Sequence, residues 1–183
     1  MIFNRVAERI TASIPFFTAC VLLLSVSKNV SAVNLQAFID APEVVGKARL
    51  KVFFFNIYDA VLIAPKGNFE EQQPFALELK YLRDFDGREI ASRSVDEMRD
   101  LGMKDEMKLA KWYQEMQDIF PDVREGQMIT GIVDKDKVSH FYLNDVPLGK
   151  VYDQEFSKWF FNIWLSEATS EPKMRRQLLG LVK

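Results

Sequence analysis

The chain alternates between two hydrophobic periods, and the changes of period mark its elements. Val44 to Phe55 and Ile57 to Ala64 are rich in β-branched and aromatic residues. They read as two strands with Asn56 as a bend or bulge between them. PKGNFEEQQP is polar and reads as a loop. In PFALELKYL, Phe75, Leu77, Leu79 and Tyr81 fall on one side and Ala76, Glu78, Lys80 and Leu82 on the other, a half-buried strand.

At Asp86 the period lengthens. Asp86 and Glu89 have capping-box spacing, and Ile90, Ala91, Val95, Met98 and Leu101 form a helical stripe that Gly102 ends. A second helix is predicted from about Lys104 to Phe120, with Leu109, Trp112, Tyr113, Met116 and Ile119 on one face before Pro121. QMITGIVD and VSHFYLND return to strand character, and Asn144-Asp145 begins a turn into VPLGKV. From Asp153 a helix carries Phe156, Trp159, Phe160, Ile163 and Trp164, with Phe161 and Leu165 on further faces. Such an all-round apolar helix is buried. Ser170 and Pro172 open a last helix that stops at Gly180. The order of strands, two helices, strands and two helices predicts an α+β fold, an antiparallel sheet with helices on one face.

The first residues read differently. Arg5 and Arg9, partly offset by Glu8, precede the apolar run Ile14 to Val26, and the polar SKNVSA follows. This is the layout of a signal peptide cleaved after Ala32. The apolar run is shorter than the roughly 20 residues of a membrane-spanning helix. Cys20 lies within the run rather than at its end, which argues against lipidation. The expected division is therefore a leader over 1–32 and one domain over 33–183, exported to a bacterial periplasm and not inserted in the membrane.

The leader takes Arg5, Arg9, Lys28 and Glu8 with it. Of 24 basic and 26 acidic residues, 21 and 25 remain, a net of −4. Such mild acidity gives no support to a nucleic-acid or anionic-membrane partner. Once the only cysteine is removed, the domain has no disulfide, thiol nucleophile or cysteine metal ligand. No phosphate loop, GxSxG or HExxH is present. His140, the only histidine, sits in a strand pattern and reads as structural; no metal site and no cofactor are expected. The carboxylates, for instance Asp96, Glu97, Asp105 and Glu106, fall at helix starts and on solvated faces, so no acid–base pair stands out, and Arg175-Arg176 reads as a solvated helix face.

One stretch is odd. VGKARLKVFFFNIYDAVLIAP sets Arg49, Lys51 and Tyr58 into an apolar run. A buried, unpaired guanidinium is unfavourable, so Arg49 must reach water, pair, or face an anion.

The succession of that stretch, ALELKYLRDFDGREIASRSVDEMRDLG, FPDVREGQMITGIV and the final apolar helix ending in SEPKMRRQLLG resembles bacterial chalcone isomerase-like proteins. The resemblance spans about Val44 to Gly180. It implies an open-faced β-sandwich: a large antiparallel sheet covered by helices, with a ligand cleft between them. Arg49 is nearest to the arginine with which the plant isomerase positions its substrate. Tyr58 stands in its threonine position and Arg88 near its lysine, while its tyrosine and asparagine have no match. Fatty-acid-binding relatives on this fold hold a carboxylate with an arginine and a tyrosine, a pattern Arg49 and Tyr58 fit better.

Three functions follow as expectations. The first is a non-catalytic protein binding a fatty acid or similar lipophilic anion through Arg49 and Tyr58. The second is an isomerase of the intramolecular-lyase type, with Arg49 polarising an oxygen. The third is an interaction module whose cleft has filled with side chains. A further reading of Arg49 alone is a solvent-face ion pair with an acid such as Glu78. Catalytic residues and oligomeric state are not assigned by the sequence.

Overall fold

A computed structural model describes residues 33–182; the proposed leader lies outside the described residues. Six strands form one antiparallel sheet in chain order: β1 (Pro42–Val52), β2 (Phe55–Pro65), β3 (Phe75–Tyr81), β4 (Met128–Val133), β5 (Ser139–Leu143) and β6 (Val146–Val151). Helices α1 (Gly87–Asp100) and α2 (Glu106–Ile119) link β3 to β4, and α3 (Gln154–Leu165) and α4 (Pro172–Leu178) follow β6. The helices gather on one face, as the alternation of periods predicts.

The main core lies between that face and the helices. Leu62, Phe75, Leu77, Ile129 and Phe141 from the sheet meet Met98, Trp112, Met116, Phe156 and Phe160 from the helices. Over β4 and β5 the space is filled by aromatic rings in edge contact: Phe141 lies 5.0 Å from Phe120 and 5.3 Å from Phe160, centroid to centroid. Aromatic pairs favour this geometry because a ring edge is positive and its face negative. The opposite face is covered in part by the segment following Val33. Its short 3-10 turn, Leu35–Ala37, delivers Ile39 onto Ile63, Ala76 and Ile132.

At Gly46 the last helix rests directly on β1. A Cβ there would lie 2.1 Å from the Gln177 carbonyl oxygen and 2.5 Å from that of Leu178. The β1–β2 register shifts beside it, between Val44 and Gly46, a bulge that bends the strand.

Three local expectations are corrected. Asn56 is not the break between the strands: Lys51 pairs with Asn56 and Val52 with Phe55, so the chain reverses at Phe53-Phe54, while the expected bulge does fall beside Asn56, where the register shifts between Leu50 and Lys51. Aromatic residues read as strand interior, which hid the turn. The Asp86 side chain does not cap α1; the Gly87 amide donates instead to Asp122 Oδ1 at 3.0 Å. A Gly87 Cβ would meet the Phe120 carbonyl at 2.1 Å, so the α2–β4 loop takes the space and the capping role together. Glu171, not Ser170, is the N-cap of α4. By contrast, the Asn144-Asp145 turn forms as expected, with φ of 45° and 72° joining Leu143 to Val146.

Candidate functional site

The aromatic filling stops short of β1. Between β1–β4 below and α1 and α3 above lies a cavity of about 500 Å³. Its apolar walls come from Leu50 and Ile57 near the mouth and from Leu79, Phe120, Ile129, Phe160 and Ile163 further in. Volumes of this order hold a drug-sized or single-chain lipophilic molecule.

Strand periodicity decides which of the singled-out residues reach it. Leu50 stands directly opposite Tyr58, and Arg49 directly opposite Asp59. Successive residues point to opposite faces of a sheet, so Leu50 and Tyr58 line the cavity while Arg49 and Asp59 lie outside. Arg49 Nε donates to Asp59 Oδ1 at 2.5 Å and Nη2 to Oδ2 at 2.8 Å. Both side chains remain substantially exposed. The pair raises the arginine pKa through the hydrogen bond and the attraction to Asp59, and lowers that of Asp59. The expectation that Arg49 and Tyr58 share one head group is thus corrected: the structure sets them on opposite faces. The alternative reading of Arg49, a solvent-face ion pair, is the one that forms, with Asp59 rather than Glu78 as the acid because Asp59 is its cross-strand neighbour.

Tyr58 is held inside. The Trp164 indole N–H donates to its hydroxyl at 2.9 Å, joining β2 to α3. Tyr58 is half-buried and lines the cavity, and burial pushes its pKa well above the ordinary phenol value. Tyr81 stands beside it, ring centroids 6.0 Å apart, and burial raises its pKa as well. The Tyr81 hydroxyl has no hydrogen-bond partner among the described residues, although the residue is buried and lines the cavity.

The remaining polar wall comes from α1. Glu97 is buried, with Oε1 accepting from Arg93 Nη2 and Oε2 from the Ser170 hydroxyl at 2.9 Å. Arg93 reaches outward, its side chain 71% exposed, and Glu89 and Glu171 share the cavity wall. Ser94 returns its hydroxyl to the Ile90 carbonyl at 2.8 Å. Arg88 is exposed and does not line the cavity. The reading of Glu97 as a solvated carboxylate is corrected, since it is buried on the cavity wall, and the sequence did not single out Arg93 or Ser170 for the site, though a signal was there. Ser94 and Glu97 fall on the buried side of α1 beside Val95 and Met98, where polar residues need a reason.

His140 lies on the other face of the sheet. Its Nε2 meets Asp134 Oδ2 at 2.7 Å, and Phe38 packs edge-on at 4.8 Å. Its Nδ1 is buried with no partner among the described residues. This is a structural histidine. No cluster of three or more metal-ligating side chains occurs among the described residues.

A single sheet with one helix-covered face and a largely apolar cavity between the layers defines the open-faced β-sandwich class. The model of the chalcone isomerase-like family matches residues 45–180, and the chain belongs to that family. An uncharacterized protein of Haemophilus influenzae is 31% identical over 130 residues, which are 70% of this chain and 63% of that protein. The match therefore spans less than two thirds of that relative's length. Among solved structures, a fatty-acid binding protein of Arabidopsis thaliana superposes with a TM-score of 0.58 at 11% identity, over 76% of this chain and 87% of that one. At that identity the likeness is one of fold.

Proposed function

We propose that the chain is an exported, non-catalytic binding protein for a lipophilic molecule of fatty-acid type, held between sheet and helices. The observation that carries this reading is the cavity of about 500 Å³, apolar for most of its wall, with a few polar groups at defined places. The fatty-acid-binding neighbour on the same fold supports the ligand class. The arginine and tyrosine of the expected pattern are supplied by Arg93 and Tyr58 rather than by Arg49. Because Glu89, Glu97 and Glu171 lie close to Arg93, the local field does not favour a carboxylate strongly. The apolar tail then supplies most of the affinity, and head-group charge is secondary.

Export belongs to the same reading. The Val33 amide donates to Asp145 Oδ1 at 2.8 Å. Cleavage after Ala32 would replace that amide with an ammonium group, making the contact a charge-assisted one.

Native mass spectrometry and lipid extraction of periplasmically expressed protein test the reading. A single-chain lipid is expected to co-purify and to be displaced by a fluorescent fatty acid. Protein that carries nothing and fails to bind such a probe would sink it.

A second reading rests on Glu97. A buried carboxylate facing the cavity is the group an intramolecular lyase would use to move a proton. Turnover of 2′-hydroxychalcone above the spontaneous rate, lost in Glu97→Gln, would favour it. The filled-cleft reading is less well supported, since the aromatic rings occupy only the β4–β5 end.

A further inference from the structure

The β1–β2 hairpin ends in three phenylalanines. Phe53 and Phe54 are 91% and 98% exposed, and Phe55 is 56% exposed. Phe53 also has φ of 54°, a left-handed conformation that bulky side chains rarely adopt and that strains the backbone. Two-residue hairpins favour Asn, Asp or Gly at such positions. The β5–β6 hairpin of the same molecule obeys that preference with Asn144 and Asp145. At the β1–β2 tip the chain instead keeps residues that strain the turn and face water, and neither property helps it fold.

We propose that this hairpin tip docks the protein on a phospholipid surface, with Phe53, Phe54 and Phe55 seated at the boundary between head groups and acyl chains. Two observations point to a bilayer. The tip is continuous with the cavity: Val52, immediately before the three phenylalanines, and Ile57, two residues after Phe55, line its wall. Basic groups also stand just behind the aromatics. The Arg83 guanidinium lies over the Phe55 ring, 4.5 Å from its centroid, Lys51 pairs across the hairpin with Asn56, and Lys80 follows on β3. An aromatic tip backed by basic side chains suits an interface whose phosphates lie one layer above its hydrocarbon. Of the nearby acids, Asp59 is paired with Arg49, while Asp84, which accepts the Glu125 amide, and Glu89, on the α1 side of the cavity, keep their charge but stand apart from the aromatic tip. The groups nearest the tip, Lys51 and Arg83, are nevertheless basic, against the overall negative charge of the domain. A protein partner fits less well, because a stable interface buries roughly 800 Å² per side, more than three side chains at a hairpin tip present.

Docking itself does not depend on the lipid-carrier reading; only its purpose, passing a lipid between bilayer and cavity, rests on it. The test is co-sedimentation with vesicles of phosphatidylethanolamine and phosphatidylglycerol. The full chain is expressed with its leader, and variants are compared with the same N-terminus. Phe54→Ser is expected to lower the partition coefficient about tenfold to a hundredfold, Arg83→Ala to lower it less, and added salt to weaken binding. Phe53→Gly is the decisive variant. It should reduce vesicle binding while raising the melting temperature, because glycine relieves the turn, whereas a purely structural phenylalanine would lose stability. Equal sedimentation of wild type and Phe54→Ser overturns the proposal. So does a wild type that ignores vesicles but forms a dimer that Phe54→Ser dissociates, which would give the tip to a second copy. Fluorescent fatty-acid binding in the same variants keeps the two readings apart: lost docking with intact cavity binding fits this inference, and intact docking with no cavity binding sinks only the carrier reading.

Discussion

Arg49 and Asp59 meet face to face across the β1–β2 ladder, clasped by two hydrogen bonds of 2.5 and 2.8 Å on the side of the sheet away from the cavity. The pair is exposed, and exposed ion pairs contribute little to stability. Arg49→Ala is therefore expected to leave both the melting temperature and fatty-acid binding nearly unchanged. A calorimetric titration in which Arg49→Ala abolishes carboxylate binding would return the head group to this arginine.

Arg93 should behave differently. Arg93 lines the cavity from its exposed edge, paired with Glu97, and Arg93→Ala is expected to weaken a long-chain acid more than the matching alcohol. Because three glutamates share that wall, the wild-type preference for acid over alcohol should itself be no more than about tenfold, near 1.4 kcal/mol. A preference of a thousandfold would show that the acidic groups are not felt by the ligand.

Ser94 offers a way to close the cavity without harming the fold. Its side chain lines the space from α1 and bonds only its own helix, at Ile90. Ser94→Leu replaces a residue of weak helix propensity with a better one and adds apolar contact. The expected outcome is a higher melting temperature together with lost displacement of a fluorescent fatty acid. Unimpaired binding in a stabilised Ser94→Leu protein would place the ligand elsewhere.

Gly46 should not tolerate a methyl group. Alanine there would press on two carbonyl oxygens of α4, at 2.1 and 2.5 Å, and backbone cannot rotate aside as a side chain can. A loss of about 3 kcal/mol or more is expected in denaturant unfolding. Hydrogen exchange should show α4 opening first.

Asp153 ties α2 to α3. Its Oδ1 accepts from the Glu155 and Phe156 amides and its Oδ2 from the Trp112 indole at 3.0 Å. Burial alone would raise its pKa, but these hydrogen bonds and Lys111 outweigh burial and hold it below the ordinary value of 3.8. Asp134, bonded to His140 and two backbone amides against a similar effect of burial, is also lowered. A depressed carboxylate stabilises the fold fully above the unfolded-state pKa and loses that contribution as pH falls through the folded-state value. Stability should therefore hold at neutral pH and drop as acid takes the solution below about pH 4. Asp153→Ala should cost about 2 kcal/mol, a lost cap with an orphaned indole, and should flatten that acid limb. An unchanged acid limb would exclude Asp153 from it.

Much of the fold was legible along the chain because local periodicity records burial. Phe75, Leu77, Leu79 and Tyr81 alternate because a sheet has two faces, and Phe156, Phe160, Ile163 and Trp164 recur because α3 is buried. Gly102 and the Asn144-Asp145 turn declare left-handed backbone, with φ of 106°, 45° and 72°. The resemblance in segment order carried the rest of the architecture.

The site was legible only in part. Tyr58 lines the cavity, but the arginine that the resemblance pairs with it, Arg49, stands on the opposite face of the ladder. Placing the turn at Phe53-Phe54 depends on which residues the tertiary ladder pairs, because nothing in the local preferences of two phenylalanines announces a reversal. The meeting of Tyr58 with Trp164, 106 residues away, and of Glu97 with Ser170, 73 away, likewise has no local trace. Sequence alone determined which residues must be buried, because hydrophobic period is a property of each element by itself. Tertiary structure decided which buried polar groups face one another across the cavity, because that depends on how β2, α1 and α3 pack and on where the aromatic side chains run out.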